Sequence, residues 1–599
     1  MNHQNLEKKE KLLITTALEG LPDKGFEKII FLGEWCRDYY KSSRFKDINF
    51  EVMPYPWDDR LLLEKDFQYL EGVYKKILKT LADNLNDYHK VKYPEKYWKT
   101  LIGIWLGWFL HALFERQNNL NHLDKNQAFF TYLHAYNFQD LPASDMEEFV
   151  NLLFTDEYNH LIYSELIKLD KSRFITERLE SSGLSKNLEL LKRSLFKETV
   201  IEKNSFKLLL KRFFSLFEKD TDSLFLNSNL SKSVQASLKL LSFESISFPT
   251  TERIVFPKIS KERKKFKTKI KEDDDFVNKV LEIIHKFMPV AYLEGYQSLV
   301  QASKDLPWPN RPKFILTANS FFIDELFKQW TAHKVNKGSK LIICQHGGFY
   351  GFGKFNFLEN FEKSISDGYM NWGWENNKNS FSLSSKSKKI RQTSKLNRNS
   401  LLLVLGGDTK YSSFLSSYPI SPQVFYYLED TISFYKNLIP KIQEETIVRL
   451  KKQNSISIAM DEIWLEKVKD VSFDEGEVPL YELVRSSKIF IGTQNATSYL
   501  EALKIDHPTV LFWDKNYWEP RKSAVDYLKL LEELKILHYD PVLAAKFINS
   551  IWEDVDSWWN EVVFSDDYQL FKNTYCKLPN NLSLSDIFTI SKNLKTISK

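Results

Sequence analysis

The stretch at residues 340–353, KLIICQHGGFYGFG, decides how the rest of the sequence is read. Residues 341–344 are an apolar run short enough for a buried strand, and Gln345-His346-Gly347-Gly348 follows where such a strand would run out into a loop. In open α/β sheets ligands bind outside the carboxyl ends of strands, so this loop is a candidate binding segment. Gly347, Gly348, Gly351 and Gly353 let the backbone turn tightly and approach a bound group. Two readings of His346 stand at this point. It contacts a ligand, or it is the polar member of a glycine-rich turn that bonds a neighbouring loop.

Working outward, residues 313–316 and 367–371 predict further strands, and 322–330 predicts a helix before the 341–344 strand. Upstream, EKIIF at 27–31 predicts the first strand, leading into Gly33 and Glu34. A second extended run at 48–53 is stopped by Pro54 and Pro56, and Asp58 or Asp59 is placed to cap the helix that follows. In that helix Leu63, Phe67, Leu70, Tyr74, Ile77 and Leu81 recur at spacings of four and three, which marks one buried face. A helix near 97–114 carries Trp98, Trp105 and Trp108, and helical patterning continues to about residue 217 around a polar interruption at 155–160. From 223 to 271 the chain is Ser- and Lys-rich and includes KERKKFKTK. It reads as a solvated insertion, or else as a basic surface for an acidic polysaccharide or anionic membrane.

The Ser/Lys/Arg-rich stretch 379–400 has no hydrophobic period and reads as a linker. Beyond it, 401–405, 446–450, 456–459, 488–491 and 509–513 predict strands, with a helix at 496–504 between the last two. Strands alternating with helices predict parallel, doubly wound sheets. Phe547, Ile551, Val555, Trp558 and Val562 mark an amphipathic helix, and helix-like sequence continues to the end, suited to packing across both domains.

Composition sets bounds. At 599 residues the chain exceeds one core and predicts two or three domains, while 43% hydrophobic and 27% charged residues exclude a disordered class. The formal charge of +5 does not point to nucleic acid. Aromatics at 15% suit large cores or stacking surfaces for sugars and bases. Cys36, Cys344 and Cys576 are far apart, which predicts a reduced, cytoplasmic setting. The charged N-terminal residues have no apolar signal-peptide core, and the most apolar run, 101–114, is too short to span a membrane. A soluble protein, at most peripheral on the inner face of the membrane, is expected.

Four strand-end loops could line a cleft between two α/β units. Glu34 places a carboxylate after the first strand, as a general base, an acceptor-binding group or an ordinary salt-bridged loop residue. The 345–348 loop is the second. The third, Gly406-Gly407-Asp408-Thr409-Lys410, offers amides, a hydroxyl and an ammonium suited to phosphate, without P-loop spacing. The fourth, 492–498, holds Thr493, Asn495, Thr497 and Ser498 before a helix carrying Glu501. An anion over the helix N-terminus and ribose hydroxyls on Glu501 would make a nucleotide-sugar site, and ordinary capping by Asn495 or Thr497 explains the same residues. Asp58-Asp59 and Asp273-Asp274-Asp275 lack the spacing of metal ligands, so no metal is expected, and with no G-x-S-x-G no nucleophile and base pair stands out.

FLGEWC, the Trp57-Asp58-Asp59-Arg60 turn, Leu85-Asn86 with His89, Tyr97-Trp98, the QHGG-Y-G run, SDGYMNWGW at 366–374 and the TSYLEAL helix together resemble a bacterial family of surface-carbohydrate transferases. The 345–347 segment is more distantly similar to capsule polysaccharide synthesis proteins that transfer Kdo or pseudaminic acid from CMP-activated donors. The resemblance implies a GT-B architecture: two Rossmann-like domains facing a cleft, a donor nucleotide mainly on the C-terminal one and no obligatory metal. With the boundary set at the linker, this makes 1–385 the acceptor-side domain, with a helical elaboration and a charged insertion near 220–272, followed by the linker at 386–400, a nucleotide-sugar domain at 401–565 and a helical tail at 566–599. It implies that His346 contacts the donor, with Gln345, Gly347 and Gly348 beside it. Gly407, Thr409, Lys410, Thr493, Asn495, Thr497, Ser498 and Glu501 would hold the nucleotide, and Glu34 and Asp58 would serve the acceptor or the chemistry. The implied activity is glycosyl transfer of a nonulosonic-type acid onto a surface polysaccharide or lipid-linked glycan. A nucleotide-sugar epimerase or hydrolase of the same architecture, or a non-catalytic glycan-binding protein, are the alternatives.

Overall fold

Each of three parallel sheets is built from one contiguous stretch of chain. The computed structural model describes residues 11–18, 26–37, 48–170, 172–179, 183–198, 219–247, 249–266, 272–383, 399–407, 409–450, 459–474, 476, 478–579 and 582–598. The first sheet holds β1 (Lys11–Ile14), β2 (Lys28–Phe31), β3 (Phe50–Val52), β4 (Phe129–His134) and β5 (Phe174–Leu179) in the order β3-β2-β1-β4-β5. Its central strand is KLLI at 11–14, ahead of the EKIIF run that the sequence marks as first.

The second sheet holds β6 (Leu224–Phe225), β7 (Phe314–Thr317), β8 (Lys340–Cys344), β9 (Gly368–Asn371) and β10 (Ser380–Ser382), laid down in unbroken succession, β10-β9-β8-β7-β6. The third holds β11 (Leu401–Val404), β12 (Thr446–Arg449), β13 (Ser472–Asp474), β14 (Ile489–Gly492), β15 (Thr509–Phe512) and β16 (Leu537–His538) in the order β13-β12-β11-β14-β15-β16. Numbered within that sheet the order is 3-2-1-4-5-6, the arrangement of dinucleotide-binding doubly wound folds. The α/β class with parallel strands is therefore as the sequence predicts, with three sheets among the described residues where two Rossmann-like units were expected.

Period-two alternation explains why the second sheet is buried on both faces. Leu224, Ile315, Leu341, Ile343 and Tyr369 join the core shared with the long helices Arg60–His89 and Glu95–Asn121. Phe225, Phe314, Leu316, Ile342, Cys344 and Met370 point the other way. They join a core that also holds Leu402, Phe490 and Leu511 of the third sheet and Phe571, Tyr575, Ile590 and Leu594 near the end of the chain. The second and third sheets thus share one hydrophobic core. The sequence's last helices, Asp566–Tyr575 and Leu584–Ser598, lie across both.

Two expectations change. The 223–271 stretch is not simply a solvated insertion. It supplies β6 and the helix Lys232–Leu241, and within KERKK the Arg263 side chain is fully buried. Its guanidinium pairs with Glu294 at 2.5 Å and donates to the carbonyls of His285 and Met288, so a charge that would be costly alone is neutralised and bonded. The start of the expected linker is likewise strand β10, paired with β9. Most of 386–400, the expected strand at 456–459 except Ala459, and Asp408 lie outside the described residues.

Candidate functional site

In the third sheet the strand order reverses between β11 and β14, so the loops after them diverge and leave a crevice at their carboxyl ends. The residues at that point are Gly406 and Thr493. The Gly406 amide donates to the Tyr427 hydroxyl at 2.8 Å, and the Tyr427 and Thr493 hydroxyls are 2.7 Å apart. Thr493 also donates to the Val404 carbonyl at 2.9 Å. A Cβ on residue 406 would stand 1.8 Å from the Gln494 side chain, so glycine is needed for this close approach. The crevice opens into a narrow pocket walled by Tyr427, Asp430, Thr493, Trp513, Asp514, Tyr517 and Trp518. Desolvation first, then the charges of Asp514, Asp540 and Glu429, push the Asp430 carboxyl up to about 6.

Asp58 and Glu34, at the carboxyl ends of β3 and β2, face this pocket's rim from the first sheet. Burial first, then both of these carboxylates, raise the pKa of the Tyr426 phenol, and Asp58 acts in the same sense on Tyr517. Asp58 is exposed and accepts from Gln423 Nε2 at 3.0 Å, and desolvation raises its own pKa. Glu34 is held by Arg37 at 3.0 Å, the salt-bridged arrangement left open by the sequence. The next residues lock the two sheets together. Arg60 binds Glu519 through Nε at 2.6 Å and Nη2 at 3.0 Å and donates to the Ser416 carbonyl, while its guanidinium lies over the Tyr517 ring. Asp59 caps the helix Arg60–His89 by accepting from the amides of Leu61 and Leu62.

The 345–348 loop docks on the loop after β14. The Gly348 amide donates to Thr497 Oγ1 at 2.9 Å, and a Cβ on Gly348 would fall 2.5 Å from the Ala496 backbone. The amino end of the helix Thr497–Lys504 is therefore covered by Gly348 rather than left open. Gln345 is buried and committed inside the loop: its carbonyl oxygen accepts from the Trp372 amide and the Trp374 indole, and its amide donates to the Gly347 carbonyl. His346 stands over a fully buried Glu362, with Nδ1 3.7 Å from Oε1, and its Nε2 lies 3.3 Å from the Tyr350 hydroxyl. Burial lowers its pKa to about 4, so the ring is neutral near pH 7 and supplies no positive charge. Glu362 accepts from Tyr350 at 2.5 Å and Tyr369 at 3.2 Å, and burial holds its pKa well above the usual carboxylate range. Phe349, one residue past the glycines, packs edge-on to Trp518 and Tyr418 and extends the pocket's aromatic wall.

A family model described as LIC12162 family transferase matches residues 11–585. The chain belongs to the LIC12162 family of transferases. No curated protein matches it significantly. Among solved structures, Acinetobacter baumannii MurG overlaps 63% of this chain and 99% of its own at 8% identity and a TM-score of 0.28. A mutant O-GlcNAc transferase from Thermobaculum terrenum overlaps 88% of this chain and 96% of its own at 8% identity and a TM-score of 0.32. Likeness at that level carries no weight for this LIC12162 family member beyond the topology it displays itself.

The remaining residues that the sequence singles out are placed as follows. Gly407 follows Gly406 at the crevice, but Thr409 donates to the Tyr411 carbonyl and Lys410 is paired with Asp156 of the first unit at 2.5 Å. Those two side chains tie the 405–423 loop down rather than reaching into the crevice. Asn495 is buried and accepts from Tyr499, and Ser498 is half-buried in the first turn of its helix. Glu501 is half-buried, and desolvation raises its pKa against the opposing pull of Lys504. Among the described residues no group of three or more His, Cys, Asp or Glu side chains is placed to hold a metal ion. Sequence reading missed Asp430, Asp514, Tyr517 and Trp518. The last three sit just past the TVLFW run, where the carboxyl end of a predicted strand was itself a signal.

Proposed function

We propose that this transferase is a glycosyltransferase of the GT-B type that binds a nucleotide-sugar at the crevice between β11 and β14. The observation that carries the reading is the reversal of strand order at Gly406 and Thr493, because that is where doubly wound sheets hold nucleotides. The lining supports it: Tyr517 offers a partly exposed ring backed by the buried Trp513 and Trp518, and Asp430 and Asp514 offer acceptors for vicinal hydroxyls, the combination that suits the edge of a ribose or sugar ring. The glycine turn at Gly406–Gly407, rather than the carboxylate side, is where a phosphate fits. In this reading the acceptor approaches from the first sheet. Asp58 takes the proton of the attacking hydroxyl as the bond from the sugar to the phosphate oxygen breaks, and the nucleotide leaves with that electron pair. The neutral His346 donates or accepts a hydrogen bond near the transferred sugar.

For the donor we propose a CMP-linked nonulosonic-type acid, and for the acceptor a surface polysaccharide or lipid-linked glycan, with transfer taking place without a metal at the inner face of the membrane. The test is a melting-temperature screen with CMP, CDP, UDP, GDP and ADP, since a ligand that binds only the folded state raises its melting temperature. CMP or CDP should give the largest rise. No response to any of the five removes the nucleotide-sugar reading, and a response to UDP or GDP alone removes the cytidine donor.

A further inference from the structure

The helices Lys232–Leu241 and Leu584–Ser598 pack side by side on the second sheet, joined by a hydrogen bond from Lys595 Nζ to the Leu241 carbonyl at 3.2 Å. Their inward residues, Val234, Leu238, Ile587, Ile590 and Leu594, belong to the core. Their outward side is unusual. Leu240 is 61% exposed, Leu584 74% and Phe588 59%, and Phe243, just past the first helix, is 89% exposed. Isolated exposed apolar residues are ordinary, but three large ones on one helix pair and a fourth just beside it make an apolar surface. A groove of about 590 Å³ runs between the helices, lined by Leu241, Phe588, Ser591, Lys592, Lys595 and Thr596.

The groove carries positive charge. Among the described residues of the groove the exposed charges are Lys592 and Lys595, whereas the carboxylates Asp586 and Glu244 are buried. Asp586 accepts from the amide and hydroxyl of Ser583, and Glu244 from those of Ser223. Large apolar side chains beside a groove lined by Lys592 and Lys595 match the boundary between acyl chains and acidic headgroups. We infer that the helix pair 232–241 and 584–598 is a docking surface for an anionic bilayer, with Leu240, Phe243, Leu584 and Phe588 entering the headgroup layer. This rests on the peripheral location proposed above and gives it an address. It also requires that the second sheet lie against the membrane while the crevice at the strand ends of the third remains open.

The test uses the full chain and vesicles of phosphatidylcholine with or without phosphatidylglycerol, read by co-sedimentation. Binding should appear with phosphatidylglycerol and fall as salt is raised. Phe243→Ser/Phe588→Ser should weaken it at least tenfold, and Lys592→Glu/Lys595→Glu should remove the preference for the acidic lipid. All four positions are exposed, and an unchanged melting temperature confirms folding. Equal sedimentation with both vesicle types, or wild-type binding by both double variants, overturns the inference. A dimer in sedimentation velocity that Phe243→Ser/Phe588→Ser dissociates overturns it as well, by giving the patch to a second copy. The nucleotide response should persist in both variants, so loss of membrane binding and failure of the glycosyltransferase reading are told apart.

Discussion

At the scale of single residues, Asp430 separates function from stability. Its carboxyl is raised to about 6 in the folded chain, above the ordinary value of 3.8. The stability it contributes is full below the unfolded pKa and is lost as pH rises through the folded one, so at pH 8 the native state carries an unfavourable charge. Asp430→Asn should therefore raise stability at pH 8 by on the order of 1–2 kcal/mol, discounted for partial exposure, and change little at pH 3.5. If the carboxylate holds sugar or ribose hydroxyls, the same variant loses affinity for the nucleotide-sugar. A lower melting temperature than wild type at pH 8 sinks the assignment of strain to this residue. His346→Ala gives a second test: turnover down roughly a hundredfold with a near-wild-type melting temperature marks a residue acting on the reacting groups. A destabilised variant with normal specific activity instead makes His346 a prop for Glu362. The sequence exposes His346 through its glycines, but nothing in it shows that Glu362, sixteen positions on, lies beneath the ring, because a helix and a loop fold back to put it there. Asp430 was invisible for the same reason: its raised pKa comes first from burial and then from the charges of Asp514 and Asp540, which the loops after β15 and β16 bring beside it.

At the scale of elements, adjacent residues should part company. Asp59 caps the helix Arg60–His89, and Asp59→Ala should cost about 1 kcal/mol in urea unfolding without altering turnover. Asp58→Asn should leave the urea midpoint in place and lower turnover by about a hundredfold or more if Asp58 is the base. Equal effects of the two substitutions on both readouts would falsify that division. Gly348→Ala forces a methyl to 2.5 Å from the Ala496 backbone, so the 345–348 loop must lift from the helix Thr497–Lys504 at a cost of about 1–3 kcal/mol. Strands with four apolar residues in a row, such as β8 and β11, were legible, as was the period of the helix Arg60–His89. Strand β1 is equally apolar over LLI but follows a charged segment, and β13 and β16 are only three and two residues long. Short edge strands leave almost no pattern, and their pairing is decided by the sheet they complete.

At the scale of the whole molecule, the first unit and the loop after β11 are joined by a buried contact that pH can break. The Leu415 amide donates to Nδ1 of His111, which is fully enclosed in the helix Glu95–Asn121, and desolvation lowers that imidazole to about 3. A folded pKa below the unfolded one gives stability that is present above about pH 6.5 and is lost as pH falls toward the folded value. Hydrogen exchange at Leu415, corrected for intrinsic rates, should therefore lose protection between pH 6 and pH 4 ahead of amides in β8. Uniform loss at both sites would show that the contact does not open separately. Alternation of strands and helices made the α/β class legible in the sequence. That the second sheet borrows one covering layer from the far end of the chain was not legible, since contacts such as Gly368 against Ile597 join residues with no shared periodicity. This borrowed layer has a consequence for biosynthesis. A ribosome completes β6 to β10 long before it reaches the helices Asp566–Tyr575 and Leu584–Ser598 that cover their Ile342 and Met370 face. Until those helices emerge, the nascent chain carries an uncovered apolar sheet, so a chaperone that holds such surfaces during translation should have its longest engagement with this protein over that interval.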